Sequence, residues 1–287
     1  MEIEVKGHSG CDIDIVREGK NLFIYKSTHD KKYLNRLVSQ AEKQKAAAEL
    51  EYQHIRVPEI FDITSSEEQV RVKMEYIYSK NFIGYFESAG FEQISYFIKA
   101  LILFIEKELK TSPVMPVSPQ ILTDKFENIE IRIAENSMLA NDPQIADMLQ
   151  ESKKIFMSLK SVVIPIGTCH GDLTFSNILF NGNNYYLIDF LDSFIESPLI
   201  DIVKIRQDSA YKWSQLMYIH DYDKLRLDII SEKIDKEISD HFSKYDWYNS
   251  YYGVSQLMNF WRIMQYANEE RVVSYLKTVI NKILYEF

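Results

Sequence analysis

Over the first 78 residues, apolar and polar positions alternate in short runs interrupted by glycine. EIEVKG (2–7), CDIDIVREG (11–19) and NLFIYKS (21–27) repeat with the two-residue period of half-buried strands, and the glycine-containing turns between them predict an antiparallel meander. Leu34, Leu37, Val38 and Ala41 then recur at helical spacing, predicting a helix that runs to about Gln53. VPEIFDI and QVRVKMEYIY, separated by TSSEE, predict two further strands. From Phe82 the period lengthens: Phe91, Ile94, Ile98, Leu101 and Ile105 mark one long helix, and Ile145, Met148, Leu149, Ile155 and Phe156 another. Asp142-Pro143 supplies the second with an N-cap and a proline at its first turn. The stretch with Pro113, Pro116 and Pro119 reads as a loop, and the chain after Pro198 reads as helical and aromatic-rich.

A chain of 287 residues holds one large core or two modest ones. The change of period places a boundary near residue 78, giving segments 1–78 and 79–287. The longest strongly apolar run, Ala100–Ile105, is far short of the roughly 20 residues of a membrane span. The opening residues lack a basic start followed by an apolar stretch, so a cytoplasmic location without a signal peptide is expected. Cys11 and Cys169 read as small buried residues rather than a disulfide framework. With Lys+Arg at 33 and Asp+Glu at 42 the net charge is −9, and no basic stripe interleaved with aromatics is present, which argues against nucleic acid as a partner. Nothing in the pattern fixes the oligomeric state.

The most informative stretch is TCHGDLTFSNILFNGNNYYLIDFLDS (168–193). ILF and YYLI flank NGNN, and Asn-Gly between two apolar runs predicts a hairpin. Asn177 precedes the first strand and Asp189 follows the second, so closing the hairpin leaves an amide and a carboxylate at its open end, across strands about 5 Å apart. Two hard oxygen donors, with room for water and phosphate oxygens, suit Mg²⁺ better than softer metals. Asp172, five residues before Asn177, is close enough to act as a base. HGDLTFSN also fits the kinase catalytic loop, H-x-D-x-x-x-x-N followed later by a metal-holding Asp.

HGDLTFSNILF, YYLIDF and the following SPLIDI resemble the central block of the aminoglycoside phosphotransferase and choline kinase family, small-molecule phosphotransferases of the kinase fold. Gly171 matches that family's His-Gly-Asp, where protein kinases have His-Arg-Asp. The resemblance implies an α+β, bilobal protein-kinase-like fold, with a small antiparallel-sheet N-lobe plus one helix (1–78) and a mainly helical C-lobe (79–287). It implies an ATP- or GTP-dependent O-phosphotransferase that uses Mg²⁺ and acts on a small hydroxylated molecule. A sugar or amino alcohol feeding cell-surface polysaccharide is the favoured acceptor class. Two rivals remain: a nucleotide-binding pseudokinase that regulates a partner, and a protein kinase. The latter is disfavoured because SPLID follows Asp189 almost at once, leaving no room for a long activation segment.

On this reading Asp172 accepts or orients the acceptor's proton, Asn177 and Asp189 hold Mg²⁺, and His170 and Asp201 support the site. Strand alternation puts Lys26 on the face shared by Leu22 and Ile24, and the resemblance makes it the phosphate-binding lysine, held by Glu42 on the next helix. Gly7, Ser9 and Gly10 form a candidate phosphate loop, where glycines let backbone N–H groups approach oxygens. Met74, Glu75 and Tyr76 resemble the hinge that meets the nucleotide base. Asp192, Glu196 and Trp213 are candidate acceptor contacts, and Tyr218, Trp247, Tyr251, Tyr252 and Trp261 either line an acceptor pocket, caging an amine, or pack as core. Plainer roles compete throughout: Asp172 as a loop cap, Asn177 as a turn residue, Asp189 as a segment cap, and Lys26 and Glu42 as solvated side chains. A metal ligand facing solvent contributes little to packing, so Asp189→Ala is expected to abolish turnover and spare the fold.

Overall fold

The computed structural model describes residues 11–287. The expected strand at 2–7 and the candidate phosphate loop of Gly7, Ser9 and Gly10 lie outside them. The chain forms two compact units. One comprises the residues up to Lys107 with His170–Ser193 and Met217–Ile230, and the other Glu108–Cys169, Phe194–Leu216 and Ser231–Phe287. In chain order the elements begin with β1 (Asp12–Glu18), β2 (Asn21–Thr28), α1 (Leu34–Ala48), β3 (Ile55–Arg56), β4 (Ile60–Ser65) and β5 (Val70–Glu75). There follow α2 (Phe82–Ser88), α3 (Phe91–Lys110), β6 (Val114–Val117), α4 (Gln120–Glu135), α5 (Pro143–Ser158) and β7 (Val162–Pro165). The remainder is β8 (Ile178–Asn181), β9 (Asn184–Leu187), α6 (Pro198–Ser209), α7 (Trp213–Met217), α8 (Lys224–Phe242), α9 (Asp246–Met264) and α10 (Glu270–Leu284). The result is an antiparallel sheet region followed by a mainly helical one. Among the described residues no helix is long and apolar enough to cross a membrane.

In the first unit the sheet runs β1-β2-β5-β4, antiparallel throughout. Leu34, Leu37 and Ala41 of α1 are buried with Ile60, Val70 and Val72 of the sheet, each fully buried leucine contributing about 1.5–3 kcal/mol. Helix α1 stops at Ala48 rather than near Gln53. The chain must turn there, with His54 at φ 69, to lay β3 parallel to β9. Strand β5 ends at Glu75, and Lys80 then exchanges two backbone hydrogen bonds with Phe180.

The predicted hairpin is β8 and β9, with Asn181 paired to Asn184. Its two loop residues are Gly182 and Asn183, not Asn-Gly, and Gly182 has φ +59, the geometry in which glycine takes the first loop position. Ile178, Phe180, Tyr185 and Leu187 alternate onto one buried face. There Phe180 stacks on Tyr85 of α2 at 4.3 Å and meets Phe97 of α3 at 5.2 Å.

In the second unit the proline-rich stretch read as a loop contains β6, paired antiparallel with β7. Pro116 fits because a two-stranded ribbon is all edge, where a missing N–H costs little. Helix α4 was absent from the pattern read above, although Leu122, Phe126, Ile129 and Ile133 form its buried stripe. Asp142 caps α5 as expected, accepting from the Gln144 and Ile145 N–H groups.

Candidate active site

A single 3₁₀ turn, Phe175–Asn177, leads into β8. Phe175 anchors it against Phe86 of α2, ring centroids 5.2 Å apart. The Ile188 N–H donates to the Asn177 carbonyl at 3.1 Å, which carries the hairpin ladder past its last paired residues. Asn177 and Asp189 therefore stand at the open end of the ribbon. The Asn177 amide nitrogen donates to Asp172 twice, to its backbone oxygen at 2.8 Å and to its carboxylate at 2.9 Å, so the amide oxygen is left as the acceptor that Asn177 offers elsewhere.

His170 ties this loop to the strand leaving the hairpin. Its Nε2–H donates to the Ile188 carbonyl at 2.9 Å and its Nδ1 accepts the Asp172 N–H at 3.2 Å, partners that fix one neutral tautomer. The ring packs against Phe190 at 4.3 Å. Burial pushes its pKa down to about 4, because a low-dielectric site disfavours the charged form. His170 is uncharged at neutral pH, and its two ring nitrogens link the Asp172 loop to the strand leaving the hairpin.

Lys26 lies in mid-sheet, opposite Ile13 and Val72. Its ammonium meets Asp189 Oδ1 at 2.7 Å, with side-chain exposures of 7% and 40%. Burial opposes the lysine's charge, but the Asp189 carboxylate outweighs it and holds the ammonium above its ordinary pKa. Asp189 itself has φ 61, a left-handed backbone that non-glycine residues adopt at a cost of about 1–3 kcal/mol and that concentrates at functional sites. The structure does not bring Glu42 to Lys26. Glu42 is exposed, as are Glu49 and Glu51, because the buried stripe of α1 runs through Leu34, Leu37, Gln40, Ala41, Gln44 and Ala47, and at about 100° per residue Glu42 falls across the helix from Gln44. The interior-facing polar groups of α1 are thus amides. Gln40, 5% exposed, accepts the Tyr33 hydroxyl, and its amide nitrogen has no partner among the described residues. Because Lys26 pairs with Asp189, the expectation that Asp189→Ala spares stability is also corrected: it would strand a buried ammonium.

The backbone requirement at Gly171, known from sequence only as a family match, and the contact of Lys43 are new in the structure. Gly171 has φ +87, and a Cβ there would stand 2.1 Å from the Leu191 carbonyl oxygen, so the loop admits only glycine between His170 and Asp172. Lys43 of α1 donates to that same Leu191 oxygen at 2.7 Å. A carbonyl acceptor has no signature in sequence, so only helical facing, which leaves Lys43 beside the buried stripe, hinted at this contact. At the candidate hinge, Met74 lies in β5 between Ile24 and Ile60, the Glu75 N–H donates to the Glu59 carbonyl, and Tyr76 packs edge-on against Tyr78.

Among the acceptor-side candidates, Asp192 is exposed and Tyr218 half-buried in the first unit; the other candidates, and Asp201, read as a support of the site, belong to the second. Glu196 receives the Cys169 thiol at 3.4 Å, Asp201 is buried in the first turn of α6, and Trp213 lies 6.0 Å from the Tyr275 ring. Trp261 is core, its Nε1–H bonded to Ser152. Tyr252 is half-buried with Arg206 over its ring at 4.4 Å, an internal cation–π pair rather than a cage for a ligand. A cavity of ≈ 290 Å³, lined by Tyr78, Lys80, Ser88 and Gly182 among others, sits at the closed end of the hairpin, away from Asp172, Asn177 and Asp189.

Among the described residues no three His, Cys, Asp or Glu side chains converge as a metal cage. One carboxylate and one amide oxygen are present, the sparse hard-donor set with which Mg²⁺ is held beside substrate phosphates, so these residues fit that ion.

The profile of the family described as "Phosphotransferase enzyme family" matches residues 25–229. No curated protein sequence matches the chain significantly. Among solved structures, the GDP and kanamycin complex of APH(2")-IIia is similar over 96% of this chain and 93% of that one, at 12% identity and TM-score 0.60. Spectinomycin phosphotransferase in complex with ADP and spectinomycin is similar over 99% and 91%, at 13% and 0.55. A choline/ethanolamine kinase family protein from Mesorhizobium loti is similar over 98% and 90%, at 12% and 0.54. At these identities the likeness is one of fold, the protein-kinase-like fold. The family match runs from β2 into α8, well over half of the sequence, and the chain belongs to the phosphotransferase enzyme family.

Proposed function

We propose that this phosphotransferase moves the terminal phosphoryl group of ATP or GTP, held with Mg²⁺, to a hydroxyl of a small molecule. The observation that carries the reading is the convergence of Asp172, Asn177, Asp189 and Lys26 at the open end of one hairpin. Phosphoryl transfer asks a protein mainly for positioning and charge neutralisation. Asn177 and Asp189 would hold the ion, which when bound neutralises charge developing on the phosphate oxygens. Lys26 would exchange Asp189 for a nucleotide phosphate. The Asp172 carboxylate, held by the Asn177 amide, takes the proton of the acceptor hydroxyl. That oxygen forms its bond to the terminal phosphorus as the bond to the bridging oxygen breaks and the nucleoside diphosphate leaves. Residues 1–78 would serve the nucleotide, with Met74, Glu75 and Tyr76 at its base, and residues 79–287 the acceptor.

For the acceptor we propose a sugar or amino alcohol, of the kind used in cell-surface polysaccharide. The acidic balance of the chain admits an amine, and Asp192, three residues past Asp189, is exposed to meet one. The test is ADP release from pure protein with Mg²⁺ and ATP against a panel of sugars and amino alcohols. At least one should accelerate release severalfold. No acceleration by any acceptor, together with no Mg²⁺-dependent nucleotide binding, would overturn the proposal. One observation favours a second reading, a nucleotide-binding regulator: α1 turns no carboxylate toward Lys26. Tight Mg²⁺-dependent nucleotide binding without transfer would support it.

A further inference from the structure

We infer that Lys43 is a positioning residue for Asp189, tethering helix α1 to the segment that carries the candidate metal ligand. The inference rests on the proposed function only for what Asp189 does; the tether is a matter of geometry. Helix α1 turns Glu42 outward and amides inward, so it is not coupled to the site by an acid on Lys26. It does place Lys43 on the Leu191 carbonyl, 2.7 Å away, a short charge-assisted hydrogen bond. The polarity of the expected link is reversed, with the cation on the helix and the acceptor on the loop.

Leu191 is two residues beyond Asp189, and its peptide is gripped from three directions. Its N–H donates to the His170 carbonyl at 2.9 Å, its oxygen stands where a Cβ on Gly171 would collide with it, and Lys43 closes on that oxygen from α1. A left-handed backbone at a non-glycine residue persists only where its surroundings over-determine it, and Asp189 at φ 61 is such a residue. Without Lys43 the Leu191 carbonyl loses its partner on α1, and the Asp189–Leu191 segment is free to relax from the position at which Asp189 stands beside Asn177. Partners of metal ligands commonly matter in this way, at about 10–100-fold in metal affinity.

The test compares full-length wild type with Lys43→Met, Lys43→Arg and, as a charge-matched control on the exposed side of α1, Lys45→Met. Two quantities are read: amide hydrogen exchange over Phe190–Ser193 without nucleotide, and the Mg²⁺ concentration for half-maximal binding of a fluorescent ADP analogue. Lys43→Met should speed exchange in that segment and raise the Mg²⁺ requirement by about tenfold or more. Lys43→Arg, which keeps the charge, should recover most of both, and Lys45→Met should match wild type. Wild-type exchange and Mg²⁺ dependence in Lys43→Met, or the same loss in Lys45→Met, would overturn the inference. Should Lys43→Met fail to fold, Lys43→Gln carries the comparison, and wild-type exchange there would be equally fatal. If wild type binds no nucleotide at any Mg²⁺ concentration, the proposed function fails while the exchange measurement still decides the tether.

Discussion

Gly171→Ala perturbs the catalytic loop by one methyl group, and the structure sets the cost. A left-handed backbone, φ +87 here, charges a non-glycine residue about 1–2 kcal/mol. The new Cβ would lie 2.1 Å from the Leu191 oxygen and 3.1 Å from its carbonyl carbon, so backbone, not a flexible side chain, must move. Moving it disturbs the Lys43 bond to Leu191, a charged hydrogen bond of about 1.5–3 kcal/mol, and the Leu191 bond to His170, a neutral one of about 0.5–1.5 kcal/mol. The expected loss is about 3–6 kcal/mol, a large share of the roughly 5–15 kcal/mol by which domains are stable. Gly182→Ala isolates the backbone cost, since Gly182 has φ +59 with nothing within 4 Å of its Cβ position, and should lose only about 1–2 kcal/mol. Urea unfolding of the two variants beside wild type measures both. A Gly171→Ala loss no larger than that of Gly182→Ala would refute the reasoning.

Three other outcomes follow from the same geometry. His170, buried with a pKa near 4, favours the neutral form when folded, so its contribution is complete above about pH 6.5 and is lost as pH falls toward 4, by about 3 kcal/mol; His170→Gln should flatten the wild-type decline of urea stability across that window. Asp189→Ala leaves the buried Lys26 ammonium without its carboxylate and should cost about 1–3 kcal/mol, a loss that adding Lys26→Met should largely restore; equal stability of wild type and Asp189→Ala would remove the pair from the account. Glu42→Gln, on the exposed side of α1, should shift stability by no more than about 0.5 kcal/mol and leave ADP affinity, followed by calorimetry, unchanged.

The site's framework was legible because it is local. A hairpin with polar residues at both open ends places Asn177 and Asp189 at that same end, and the spacing of His170, Asp172 and Asn177 lies within one loop. Long-range facing was legible only where periodicity was trusted over likeness. The family likeness put Glu42 on Lys26, yet the stripe of Leu34, Leu37 and Ala41 already turned it outward. The Lys26–Asp189 pair joins residues far apart in sequence, and the Lys43–Leu191 bond ends on a carbonyl that every residue type possesses, so neither had a signature to read. Helix α4 was missed although Leu122, Phe126, Ile129 and Ile133 have helical spacing, because the prolines before it drew the whole stretch into a loop.

On the proposed function, Asp172 works with Asn177 and Asp189 as one phosphoryl-transfer site. The most direct test is the Mg²⁺- and ATP-dependent rate of ADP release by wild type and Asp172→Asn, with ADP affinity measured alongside. The rate of Asp172→Asn should fall by about 10²–10⁴-fold with affinity retained. Undiminished release by Asp172→Asn would contradict the proposed function.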